Sequence, residues 1–500
     1  MNLSLILNNN KYKIAFGLFI TYLCFTIYKI GETSLWYDEC FSIDLGNDSC
    51  EEIIHYSLYN DTNPPFYILL IHFWIKVFGD SEVALRSVSA ISGSLACSIF
   101  FLLALKFFNW QTAVFSILLY FSSNDLYYYS QEGRTYGLIL FLCIISNFTF
   151  LNLIKKPNWT IAVLLGLINI CIFYSHTLAC INIIGQILLV FILCFNKGLP
   201  SSAIKNTTVF FTYKIGFIKW YLVSWFVFIL LFLPWAGRTL NIINSGVKGF
   251  WLQKPTFKEY KQVLYDFYNS ENLFYIYLAA ILVLIILLLL IKKCREDSFN
   301  YKLLLIPIIL GPFLFHINFA FANLAPIFLK RYILFSLPFF FLLFAYLLSS
   351  VNINFKLKLF TMLILVSYSA CKMQVPREPY WDYKNGVALL KNHISPTTYI
   401  ATDNSALFSY YFDRKGAFKA YQQERENILA KSNVFQTHDI SWPDTISTLK
   451  YKEIFYTSSF EDYTDPEHIT TSKLNSRFNL VKEFELAGLK IMHYRSDSIR

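Results

Sequence analysis

Long apolar runs separated by short polar connections occupy most of the chain as far as Met373. A helix needs about 20 predominantly apolar residues to cross roughly 30 Å of hydrocarbon. Runs near that length recur at 13–30, 83–105, 112–126, 136–154, 161–175, 177–195, 218–235, 273–291, 303–322, 332–348 and, more weakly, 357–373. The pattern predicts a polytopic α-helical membrane protein with about eleven spans. After Cys371 it changes to polar and Pro-punctuated. There, Val387, Leu389 and Leu390 suggest the apolar face of a helix, 398–402 a strand and 406–412 another helix. "KEIFYTSS" reads as a strand, and "NLVKEFEL" and "LKIMHYR", separated by "AG", as a terminal hairpin. The expected organisation is a membrane domain over 1–373 and a small α/β domain over 374–500.

Charge gives these segments a side. The chain is 55% hydrophobic and 15% charged with net charge +10, and its Lys and Arg residues fall mostly in alternate connections. Lys11 and Lys13, Lys106, Lys155 and Lys156, Lys197, Lys205, Lys214 and Lys219, Lys292, Lys293 and Arg295, then Lys356 and Lys358 follow this order. This is the positive-inside bias, which explains the basic balance without nucleic acid. Residues 31–82 oppose ten acids to the single Lys76, so this first loop is expected outside. The apolar stretch 63–79, "NPPFYILLIHFWIKVFG", would invert every later connection if it crossed; it is expected instead as an interfacial helix over 64–78 begun by Pro64 and Pro65. Eleven spans with the N-terminus inside place the C-terminal domain outside too.

Cysteines lie mostly within apolar runs, where they behave as small hydrophobes. Cys40 and Cys50 fall on the outer loop and could form one disulfide, for which spacing alone supplies no geometry. The first apolar run lacks a small-residue cleavage site and reads as a signal anchor. Abundant Lys, Asn, Ile and Phe suit an AT-rich bacterial genome and hence a bacterial inner membrane; the sequons at 47–49 and 60–62 would be glycosylated in a eukaryotic lumen.

Four polar features gather at the expected outer face: Asp38 and Glu39 behind Trp36 and Tyr37; Asn63 in "NPPFY"; Arg86 one turn inside the next span; and "YYYSQEGRTYG", with Gln131, Glu132 and Arg134. Carboxylates near a bilayer need water, a lined cavity or a partner. Converging guanidinium and carboxylate groups can hold a phosphate while deprotonating another group. His72 and His176 sit at the ends of apolar runs, where a lone His is ordinarily a hydrogen-bonded interface residue, and His316 with Asn318 reads as a tie between helices. Asp38 and Glu39 offer oxygen ligands to a divalent cation, but too few ligands accompany them to assign a metal.

Taken in order, "SLWYDE", "NPPFYILLIHFWIKVFG", "SEVALRSVSAISG", "YYYSQEGRTYGL", "YSHTLACINIIGQ", "LPW" and "KRYILFSLPFF" resemble the GT-C superfamily of membrane glycosyltransferases. The likeness is to the group of protein O-mannosyltransferases and the bacterial aminoarabinose transferase, over roughly 13–383. The resemblance implies a transferase that takes a sugar from a polyprenyl-phosphate donor and passes it to a glycan, lipid or protein at the outer face. It implies that Asp38 is the catalytic base, with the role of Glu39 left open, and that Arg134, Arg86 and Arg331 lie near the donor phosphate. Glu132, Gln131, Asn63, Tyr37 and His176 are the expected substrate contacts. A flippase for lipid-linked sugars would need ionisable groups at several depths, whereas these cluster at one face; a glycan polymerase or ligase would share both face and chemistry.

Overall fold

The computed structural model describes residues 3–195, 214–245, 254–296, 299–322, 328–420, 422–437, 441–447, 450–459 and 467–496. Lys197, Lys205 and Lys248 lie outside the described residues. The chain divides into two units. The first comprises Met1–Tyr28, Glu51–Tyr67 and Arg86–Gln374; the second comprises Lys29–Cys50, Ile68–Leu85 and Val375–Arg500.

The first unit is helical. Among the described residues, five helices are long and apolar enough to cross a membrane: Glu82–Phe107, Tyr136–Lys155, Phe217–Ile242, Glu271–Leu290 and Tyr301–Phe321. Trp110–Phe121, Trp159–Ser175, Thr177–Ile192 and Leu334–Ser349 are apolar but shorter. The protein is an integral membrane protein. Glu82–Phe107 and Tyr136–Lys155 are mostly buried, whereas Phe217–Ile242 and Glu271–Leu290 leave most of their apolar side chains bare, as a lipid-facing helix does. Inside, Ser146, Asn147, Asn169, Asn182 and Gln186 form a buried hydrogen-bonded chain linking three helices. Polar side chains tie helices together in this way where water is absent.

The run expected as one span over 112–126 is broken. Its helix ends at Phe121, and Ser123 caps a second helix, Asn124–Ser130, by accepting a hydrogen bond from the Leu126 N–H at 3.4 Å. Serine at a helix N-terminus competes well for the backbone donors, so the Ser122-Ser123 pair outweighs continuity of hydropathy. The connection 238–272, between the apolar runs 218–235 and 273–291, is largely helical where described. Arg238 lies on the helix Lys214–Ser245 and donates to the Asp61 carbonyl at 2.8 Å, and Lys258 and Lys261 lie on the helix Phe257–Phe267.

The second unit is built on a five-stranded sheet, β1 Thr398–Thr402, β2 Val434–Gln436, β3 Glu453–Ser458, β4 Asn479–Leu486 and β5 Leu489–Arg495, in the order β2-β1-β3-β5-β4. β2, β1 and β3 run parallel, and β5 and β4 are antiparallel additions. Every residue of β1 is buried, as expected of a parallel strand covered on both faces. The hairpin joins Leu486 to Leu489 through Ala487-Gly488, and Gly488 has φ +61°, a left-handed turn that glycine adopts without penalty. A Cβ there would also strike the Tyr380 carbonyl.

Two parts of the acidic first loop belong to this same unit. They carry the helices Tyr37–Gly46 and Phe66–Phe78, the second starting directly after Pro64-Pro65 and ending at Gly79, whose φ is +77°. His72 Nδ1 meets the Gly46 carbonyl at 3.1 Å and so joins these two helices. Cys40 and Cys50 are both free thiols.

Candidate functional site

Asp38 and Glu39 stand in the first turn of Tyr37–Gly46, whose N-cap is Trp36. Negative charge there is favoured by the helix dipole. The two carboxylates nevertheless have different surroundings. Glu39 is fully buried; its Oε2 accepts from the Trp36 N–H at 3.3 Å, and its Oε1 lies 3.4 Å from Arg377 Nη1. Asp38 is half-buried and Tyr37 exposed. Of the two acids, Glu39 is buried and holds its own helix terminus, whereas Asp38 keeps part of its surface open. Trp36 is buried with its ring 5.0 Å from that of Tyr380, so it anchors the loop within the unit.

In the first unit, Arg134, Tyr136, His176, Arg331 and Tyr332 come together. The Arg331 guanidinium lies 5.6 Å from the Tyr136 ring centre and 5.7 Å from that of Tyr332. The His176 ring is 4.9 Å from Tyr332 and 6.1 Å from Tyr136. Burial, reinforced by the positive charges of Arg134 and Arg331, pushes the His176 pKa down to about 3. The imidazole is therefore neutral at physiological pH, and the two half-buried guanidinium groups make the positive field of the cluster.

Backbone packing holds this arrangement: Ser89 Oγ donates to the Arg134 carbonyl at 3.0 Å, and Thr135 Oγ1 to the Ser175 carbonyl at 3.3 Å. Gly137 permits the approach, since a Cβ there would lie 3.1 Å from Ser89 backbone. Arg86 and Glu132 are buried, Arg86 one turn before Ser89 on the helix Glu82–Phe107.

A buried His with a lowered pKa binds fewer protons folded than unfolded, so its contribution to stability is present above pH 6.5 and is lost as pH falls from there toward 3. The detergent-solubilised His176→Gln protein is accordingly expected to lose less thermal stability than wild type between pH 7 and pH 4. Parallel melting curves check this.

Other polar residues singled out in the sequence also have bonds within the fold. The Gln131 side-chain amide donates to the Thr26 carbonyl at 2.8 Å and the Tyr28 carbonyl at 3.0 Å, closing the end of the helix Lys11–Ile27 rather than presenting that amide to a substrate. The backbone N–H of Asn63 donates to Asp61 Oδ1 at 2.9 Å in a tight turn. His316 Nε2 meets the Tyr260 hydroxyl at 2.8 Å and ties two helices. Among the described residues no group of three or more His, Cys, Asp or Glu side chains could hold a metal.

Sequence reasoning missed the neighbour of Arg331. Lys330 Nζ bridges Asp125 Oδ1 at 3.0 Å and Asp266 Oδ2 at 2.9 Å. Burial pushes the Asp125 carboxyl up to about 6 against the pull of Lys330. For Lys330, burial opposes the charge, but the two carboxylates outweigh it and hold its pKa above the ordinary value. Asp125 carried a signal: it lay inside an apolar run, where a carboxylate needs a partner. Arg377 carried none, because its partner Glu39 lies 338 residues away.

No protein-family model matches the chain, and no curated protein sequence does. Solved structures do. ArnT from Cupriavidus metallidurans in the apo state is similar with a TM-score of 0.52 at 11% identity, over 95% of this chain and 97% of that one. The same protein bound to undecaprenyl phosphate matches with a TM-score of 0.51 at 11% identity, over 98% and 99%. The oligosaccharyltransferase of Archaeoglobus fulgidus is a looser likeness, with a TM-score of 0.46 at 12% identity over 96% of this chain and 73% of that one. At 11% identity the shared property is the fold, and in fold the resemblance carried by the motifs holds: the chain is built on the architecture of ArnT, an aminoarabinose transferase of the GT-C superfamily.

Proposed function

We propose that the protein transfers a sugar from a polyprenyl-phosphate donor to the hydroxyl of a glycan, lipid or protein acceptor at the outer face of a bacterial inner membrane. Asp38 accepts the acceptor's proton as its oxygen attacks the anomeric carbon. The bond from that carbon to the phosphate oxygen breaks, and polyprenyl phosphate leaves with the electron pair. Arg134, Arg331 and Arg86 neutralise the growing charge, so the leaving group needs no proton of its own. Glu132, Asn63 and neutral His176 serve the polar groups of the substrates, and exposed Tyr37 offers a ring to the sugar.

The observation that carries this reading is the convergence of Arg134 and Arg331 on a neutral His176, in a fold whose ArnT example is solved with undecaprenyl phosphate. About eleven spans and an external C-terminal domain follow from the alternating basic connections. The deciding experiment incubates the purified protein with a panel of polyprenyl-phosphate sugars and scores donor consumption and acceptor labelling. Consumption of none of them would overturn the proposal. Arg134→Ala is expected to weaken donor binding roughly tenfold to a hundredfold, the worth of one charge-assisted hydrogen bond. Titration of the folded variant with a labelled polyprenyl phosphate measures it.

A further inference from the structure

The acidic first loop has a basic counterpart in the C-terminal domain. Asp44 pairs with Arg425 at 2.7 Å, Asp80 with Arg414 at 2.8 Å, Glu82 with Lys384 at 3.5 Å and Glu39 with Arg377 at 3.4 Å. Asp80–Arg414 and Glu82–Lys384 are partly open to water, and Asp44–Arg425 joins a buried guanidinium to a carboxylate about a third exposed, whereas Glu39 and Arg377 are 0% and 2% exposed. A pair open to water can separate and be resolvated at little cost. A buried one cannot, because each charge would be left uncompensated. Glu39–Arg377 is therefore the pair in which neither charge has access to water, and it is the one next to Asp38.

Its second oxygen extends the constraint. Glu39 Oε2 accepts from the Trp36 N–H, so a single carboxylate joins the start of the helix Tyr37–Gly46 to Arg377. The Leu35 N–H donates to the Tyr411 hydroxyl at 2.7 Å, and the Trp36 ring packs on Tyr380. Residues 35, 36 and 39 are thus all held by residues 377–411, while Asp38 between them stays half-buried. We propose that the C-terminal α/β domain is the clamp of the catalytic loop, with Arg377 a positioning residue that acts on Asp38 through Glu39. The proposal rests on the reading of Asp38 as base.

The test uses the full-length protein in detergent and two readouts, of which one is independent of sugar transfer. Arg377→Met is expected to lower kcat about 10²-fold, the effect of displacing a reacting group by about 1 Å, with the donor KM unchanged. Arg377→Lys should recover part of the loss. Lys473→Met, which breaks the exposed Lys473–Asp444 pair, should leave turnover unchanged. The second readout is peptide-mapped thiol labelling at Cys40, which is buried next to Glu39 and should react faster in Arg377→Met.

If Arg377→Met does not fold, the double variant Glu39→Gln with Arg377→Met, which strands no charge, replaces it with the same expected loss of kcat. Wild-type turnover with unchanged Cys40 labelling in either folded variant overturns the clamp and leaves the reaction standing. Faster Cys40 labelling in a protein whose wild type consumes no donor supports the clamp of the loop and removes the reaction.

Discussion

Asp38→Asn is expected to lower turnover by about 10²–10⁴-fold, the range for loss of a general base, with donor binding retained. The substitution preserves the size of the side chain and its place in the first turn of Tyr37–Gly46. It removes the one property at issue, a carboxylate that takes a proton. Glu39→Gln is expected to fail differently. Glutamine can still accept from the Trp36 N–H, but buried Arg377 loses its counter-charge. Its deficit should therefore appear as a lower melting temperature and a kcat reduced less than that of Asp38→Asn. Single-turnover transfer from pre-bound donor separates the two effects. An Asp38→Asn protein that folds and transfers at near wild-type rate would remove the base assignment.

Lys330→Met is expected to destabilise the protein by about 3 kcal/mol at pH 7.5, the low end of the range for breaking a buried pair, because Lys330 itself keeps some access to water. What remains after the substitution is Asp125, buried beside the carboxylate of Asp266. The folded Asp125 pKa already lies at about 6, above its ordinary value, and without Lys330 it must rise further. A raised carboxyl pKa means the folded state holds the proton more tightly, so the penalty is greatest above that pKa and recedes as pH falls toward 4. The variant should accordingly lose much of its deficit at pH 4.5, and adding Asp125→Asn should restore stability at pH 7.5. Denaturation midpoints at the two pH values measure both. A deficit independent of pH would mean that the loss lies in packing rather than in the stranded carboxylate.

How much was legible in the sequence varied with the range of the force involved. Helices placed by hydropathy begin and end close to expectation: 136–154 became Tyr136–Lys155, and 273–291 became Glu271–Leu290. The strand over 398–402 and both arms of the terminal hairpin fall on their expected residues. The acidity of residues 31–82 was read as a sign of sidedness alone. The ion pairs add a second cause, since Glu39, Asp44, Asp80 and Glu82 face cations supplied by the C-terminal domain. Composition records the excess charge of a segment but not what that charge is opposed to.

The sequence by itself determined the apolar helices, the polar C-terminal sheet and the residue types available for phosphate and proton chemistry. Each of these depends on hydropathy or local conformational preference within a window of about 20 residues. Only the tertiary structure decided that Glu39 is locked by Arg377, that Gln131 closes a helix end, that Lys330 bridges Asp125 and Asp266, and that Arg134 and Arg331 share the neighbourhood of one neutral histidine. Those outcomes depend on which distant segments pack together. Burial and pairing then give the same carboxylate group different surroundings, as at Asp38 and Glu39 one residue apart.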